Sequence, residues 1–334
     1  MNAPSPRVAR GGALVISLCA ALGAARHAAL TIEEYKIPQA GAFPHDPAVG
    51  ADGSVWYTDQ ANSLIGRLDP ASGRFSTFPT PTPRSGPHGI VVARDGKVWY
   101  TANAADKLGV LDPSTGKITE YRTGTAAGDP HTPLATGGAI WFTAQQSNQY
   151  GRLDPSTGSV RLFPVATAHA LPYGMVAAPD GSIWVALFGT NRLGKIDPAT
   201  GAMTEVPLPD EGTRPRRIAV DGTGRVWFTD YSRGRLGMMD PKTNAVREFP
   251  SPGGDRASPY GIAVGTGGRI WYDESATGQV VSFDPATEHF ETVAIPTHGA
   301  IVRNMSVDST RSRLWLALSG TSRLGRIDLP TTRP

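Results

Sequence analysis

The seven tryptophans of this 334-residue chain fall on one beat. Trp56, Trp99, Trp141, Trp184, Trp227, Trp271 and Trp315 are separated by 43, 42, 43, 43, 44 and 44 residues. Aspartates keep the same time: Asp69, Asp112, Asp154, Asp197, Asp240, Asp284 and Asp328 each follow their Trp by 13 residues. A unit of about 40 to 45 residues is the length of one four-stranded propeller blade, which cannot bury its apolar face alone and must stack on its neighbours. Seven such units predict an all-β chain, a single seven-bladed β-propeller over residues 30–330.

The fourth unit shows why each repeat should be a sheet. Leu171 to Ala177 and Ile183 to Ala186 are short apolar runs separated by Asp180-Gly181, a hairpin signal in which both central turn residues are expected at positive φ. Asp52-Gly53 and Asp95-Gly96 repeat it. A third strand follows at Leu193 to Asp197, then Pro198 to Gly201 turns the chain into an outer strand, Ala202 to Pro207. Gly201 has counterparts at Gly73, Gly116 and Gly158, with Asn244 tolerable at a left-handed position. Helix-period apolar patterns are missing, and the 39 glycines and 29 prolines suit many short strands joined by tight turns.

The last unit runs out after Asp328, whereas Thr31 to Pro38 has no unit of its own and resembles the outer strands Ile118 to Tyr121 and Met203 to Val206. That N-terminal stretch is expected to complete blade seven and close the ring, removing the sheet edges an open array would leave. The Trp column is expected to pack between blades and to have no chemical role.

Residues 1–29 stand outside the repeat. Arg7 and Arg10 precede the apolar run Gly12 to Ala25, which ends in small residues, the pattern of a secretory signal peptide and too short for a membrane span. We therefore expect an exported protein, periplasmic or extracellular, with no membrane span. The one cysteine, Cys19, lies inside that leader, so disulfides, thiolate catalysis and Cys-ligated metals are excluded from the mature chain. Net charge is +3, and removing Arg7 and Arg10 leaves 3 minus 2, or +1, which advertises no nucleic-acid partner. Arg67, Lys107, Arg152, Arg192, Arg235 and Arg323 read as one repeat position on a solvated strand face.

In a propeller the first strand of each blade lines the central channel, and its start lies beside the end of the second strand. The column just before the first strand reads His45, His88, His131, Tyr173, Arg216, Tyr260 and Arg303, mostly after a proline. Asp59, Asn103, Gln145, Asp230, Asp273 and Glu274 end the second strands and are companions at the same mouth. Three histidines in adjacent blades admit a metal site or a proton-transfer site, since imidazole works near neutral pH. For any one of them the ordinary alternative is a Pro-His step that caps a strand and bonds a neighbouring loop.

The strings from Pro87 to Val92, Ile140 to Thr143 and Leu324 to Asp328 resemble the virginiamycin B lyase family, and the likeness spans residues 32–328. The resemblance implies a seven-bladed propeller with a magnesium-dependent site that linearises streptogramin B depsipeptides by elimination. The family's P-H, E-P-H and P-Y-G strings have equivalents in Pro87-His88, Asp129-Pro130-His131 and Pro172-Tyr173-Gly174. By that likeness Asp129 and Gln145 would hold Mg²⁺, His131 would be the general base, and His88 and Tyr173 would orient the substrate. Asp129 replaces a glutamate, and Gln145 stands where the family has its second acid, offering an amide oxygen without charge. The set begins at blade two, whereas in the family it spans the ring closure.

The competing reading is a non-catalytic binding propeller, a monomer whose channel mouth takes a peptide, glycan, small molecule or protein. Metal-assisted lactone hydrolysis fits less well because histidine, not acid, dominates the ring. A WD-repeat scaffold is excluded, since no Trp here is followed by Asp, and no G-x-S-x-G elbow supports nucleophilic catalysis.

Overall fold

Short apolar runs punctuated by glycine and proline leave each repeat only the antiparallel meander. The computed structural model describes Met1 and residues 30–125 and 127–330, and there the chain forms seven four-stranded sheets. The expected leader lies outside the described residues, apart from Met1. Among the described residues no helix is long and apolar enough to cross a membrane.

The first strands are Pro44–Val49, Pro87–Val92, Pro130–Thr136, Pro172–Ala177, Pro215–Val220, Pro259–Val264 and Val302–Asp308. Glu33–Lys36 pairs antiparallel with Arg323–Asp328, with Tyr35 opposite Leu324, so the N-terminal strand supplies the missing outer strand of blade seven. Glu34 fastens this closure by accepting from the Thr297 N–H at 3.1 Å and pairing with Arg323 at 3.2 Å.

Each Trp packs into the next blade. Trp56 lies with Ile90 and Val98, Trp141 with Ile183 and Val185, and Trp271 with Leu314 and Leu316. Trp315 lies against Val55 and Tyr57 of blade one, which makes the last seam of the ring. Emptying one such site by truncation to alanine typically costs about 3–5 kcal/mol, so these contacts are a main source of cohesion between sheets.

Two local expectations are corrected. In the first hairpin only the glycine is left-handed, at Gly53 (φ 86°), Gly96 (81°) and Gly181 (84°), while the preceding aspartates keep negative φ. Gly53 N–H donates to the Gly50 carbonyl at 2.9 Å, closing a turn with its left-handed residue last, and the Asp52 side chain accepts from Ser54 N–H at 3.0 Å. The basic column is two positions: Lys107, Arg192, Arg235 and Arg323 open their third strands, whereas Arg67 and Arg152 sit three residues further in. The outer turn matches its expectation at Gly73, Gly116, Gly158, Gly201 and Asn244, and blade six adds Glu288 at φ 58°.

Every first strand also has a register shift near its start, between Pro44 and Pro47 in blade one and at the equivalent place in the other six. Such a bulge places two residues against one on the partner strand and breaks the alternation of faces. Two consecutive residues per blade therefore reach the channel.

Candidate functional site

The bulges build two stacked rings of side chains across the axis. The upper one is the expected column, and its rings touch in series. Centroids lie 3.6 Å apart for His45 and His88, 3.7 Å for His88 and His131, and 3.8 Å for His131 and Tyr173. The Tyr173 hydroxyl is hydrogen-bonded to that of Tyr260. The Arg216 guanidinium sits 4.3 Å from the ring centres of both Tyr231 and Tyr260, 4.8 Å from Phe188 and 5.0 Å from Tyr173. Arg303 lies over Phe43 at 5.6 Å. One side of this ring is thus imidazole, the other aromatic and cationic.

The lower ring consists of Asp46, Gly89, Thr132, Gly174, Arg217, Gly261 and Asn304, one residue further along each strand. Asp46 Oδ1 accepts from Arg217 Nη2 at 2.9 Å, its Oδ2 accepts from Asn304 Nδ2 at 2.9 Å, and His45 Nδ1 lies 2.9 Å from Oδ1. Crowding explains two of the glycines: a Cβ at Gly89 would lie 2.4 Å from the His131 carbonyl oxygen, and one at Gly174 2.9 Å from that of Arg216. Below these groups opens a cavity of about 330 Å³.

A hydroxyl latch holds the upper ring in place. Thr101 accepts from Gly89 N–H at 2.9 Å and donates to the His131 carbonyl of the next blade at 2.9 Å. Thr58, Thr143 and Thr229 make the same bridge to the carbonyls of His88, Tyr173 and Tyr260. Blade six substitutes Asp273, whose carboxylate accepts from Gly261 N–H at 2.7 Å.

Electrostatics follow from burial. Desolvation, then the neighbouring imidazole and Arg217, keeps His88 and His131 well below the usual imidazole range; His45 is lowered by burial against the pull of Asp46. Three neutral imidazoles therefore face the mouth near pH 7. Burial favours protonation of Asp46, but the Arg217 guanidinium and the His45 bond outweigh it and hold the carboxyl well below its ordinary range. Burial drives Tyr173 upward, reinforced by Tyr260. Burial also raises Asp273 to about 7, against its bonds from Ser275 and Gly261.

Asp129 precedes His131 by two residues. It is half-buried and left-handed at φ 56°, takes a hydrogen bond from Asn103 Nδ2, and is pushed by burial up to about 6, with Gln146 pulling the other way. Gln145 meets it through the backbone, its N–H donating to the Asp129 carbonyl at 3.2 Å. Asp59 and Asp230 are spent on loop backbone, accepting from Phe43 and Arg214 N–H at 3.0 Å each, and Asp230 also pairs with Arg233 at 2.7 Å. Glu274 accepts from Gly253 N–H at 2.8 Å. Asp129 is thus a partly desolvated mouth carboxylate with amide partners and no cation beside it.

Sequence reasoning missed the lower ring and Gln146. His45, Asp46 and His88 also bring potential ligand atoms within 4.8 Å of one another, but Arg217 already neutralises the one carboxylate there.

A streptogramin B lyase structure superimposes with a TM-score of 0.84 at 25% identity, covering 90% of this chain and 98% of that one. Selenomethionine-substituted virginiamycin B lyase from Staphylococcus aureus gives 0.84 at 23%, covering 90% and 100%. Hydrazine synthase of Kuenenia stuttgartiensis, at 0.75 and 13% identity over 89% and 98%, shares the fold alone. A search among curated proteins finds no match. The virginiamycin B lyase family model matches residues 12–252. With most of its length matched, the chain belongs to the virginiamycin B lyase family.

Proposed function

We propose that the protein is an exported carbon-oxygen lyase that opens an ester, or a cyclic depsipeptide, by elimination at the upper channel mouth. The observation behind this reading is His131, a neutral imidazole held between the His88 and Tyr173 rings two residues after the desolvated Asp129. In the reaction His131 takes the proton from the carbon beside a carbonyl. The C–H electron pair becomes the new C=C bond, the C–O bond breaks, and the carboxylate departs. General base catalysis of this kind contributes roughly 10² to 10⁴ in rate. His88 and Tyr173 orient the substrate; burial keeps the Tyr173 hydroxyl protonated, able to donate to the departing carboxylate.

A divalent cation, Mg²⁺ by family likeness, fits the uncompensated charge of Asp129, with Gln145 as a neutral oxygen donor. When bound it would polarise the carbonyl and lower the cost of enolate charge. Because the chain completes its own ring, we propose that it acts as a monomer.

The test is incubation of the mature protein with a streptogramin B depsipeptide, with and without Mg²⁺, followed by mass spectrometry. Elimination opens the ring with no change of mass, whereas hydrolysis adds one water. An intact substrate, or a hydrated product, rejects the reading. The favoured alternative is then a binding propeller, which the single charge at Asp129 and Gln145 supports.

A further inference from the structure

We propose that the mouth is built for a ligand bearing a carboxylate on an apolar or aromatic body, gripped by Arg216 and Arg303. This deepens the lyase reading by naming a substrate class, and rests on it for the location of the site.

Arg216 and Arg303 take the same column position in blades five and seven, on either side of Tyr260. Both are half-buried, and each has a buried Nε with no hydrogen-bond partner. The other inward basic groups are accounted for. Arg217 is paired with Asp46 and Arg233 with Asp230, while the imidazoles are neutral by burial. Among the described residues no carboxylate stands within ion-pair distance of Arg216 or Arg303. Two guanidiniums therefore stand at the mouth without an ion-pair partner.

A half-desolvated cation without a counterion is unfavourable. Aromatic faces compensate part of that cost, which explains the rings of Tyr231, Tyr260 and Phe188 around Arg216 and of Phe43 under Arg303. Stacking satisfies the guanidinium faces and, apart from the Arg216 Nη2 bond to the Tyr173 hydroxyl at 3.4 Å, leaves in-plane N–H groups as a fork, the geometry a carboxylate meets with two parallel hydrogen bonds. Phe43, Phe188 and Tyr231 are themselves half-exposed, so an apolar body beside that carboxylate has surface to cover.

The experiment compares N-acetylphenylalanine with its amide, two probes differing only in the carboxylate, by calorimetric titration of the mature protein. The carboxylate should bind at least about tenfold more tightly, with an advantage that shrinks as salt is raised. Arg216→Gln and Arg303→Gln should each erase most of that preference. Arg67→Gln, on a half-exposed residue of blade one paired with Asp52, should leave it unchanged. Equal binding of the two probes by the wild-type protein overturns the proposal without any variant, as does a preference that survives both mouth substitutions. Inorganic phosphate binding as tightly as the carboxylate would overturn the assignment of the anion. A carboxylate preference without any ring-opening activity would defeat only the lyase reading. Turnover of a neutral depsipeptide with no carboxylate preference would defeat only this one.

Discussion

Asp46 in blade one and Arg217 in blade five meet across the propeller axis at 2.9 Å, both almost wholly buried. Bonds that close the sheets run within a blade or between neighbours; this one spans the channel. Removing one member of a buried pair strands the other, so Arg217→Met should destabilise the fold by about 3–5 kcal/mol in denaturant unfolding. The double change Asp46→Leu with Arg217→Met should recover most of that loss. Equal losses for the single and double variants would show that the pair does not act as a unit.

The Thr101 hydroxyl ties the Gly89 N–H to the carbonyl of His131. Thr101→Val keeps the shape but leaves a buried N–H and a buried carbonyl without partners, and should cost about 1–3 kcal/mol. Because the latch fixes the His131 backbone, turnover should fall by more than the stability change alone explains. Unfolding curves and rates on the same preparation check both.

The blades were legible because the Trp period sets the repeat length and the Pro-X step marks the strand start. His45, His88, His131 and Tyr173 were found in that way, and they touch in sequence order. Asp46 and Arg217 were not, because strict alternation sends residues next to His45 and Arg216 to the opposite face of the strand. The bulge after Pro44 and Pro215 overrides that rule, and no single-residue signal announces it. Asp129 was found through the family string alone. Its lack of a cationic partner depends on which groups the loops of blades two and three bring beside it, a matter of tertiary placement.

Asp273 gives a pH signature. Its carboxyl is raised from 3.8 to about 7, so the folded state binds a proton that the unfolded chain releases. The resulting stability is present in full below pH 3.8 and is lost as pH rises through about 7. Asp273→Asn removes the buried charge, and should stabilise the protein at pH 8 by an amount on the order of 2–4 kcal/mol while changing little near pH 4. The ring imidazoles act in the opposite sense: with folded values below 6.5, their contribution is present above pH 6.5 and is lost on acidification. Melting temperatures of wild type and Asp273→Asn across pH 4 to 8 separate the two, because only the acid's part disappears in the variant.

Whether His131 removes a proton from substrate at this mouth is decided by single-turnover ring opening by wild type and His131→Ala, with the melting temperature of each recorded alongside. The variant should lose about 10² to 10⁴ in rate with its folded state preserved. Ring opening by His131→Ala at the wild-type rate would contradict that role.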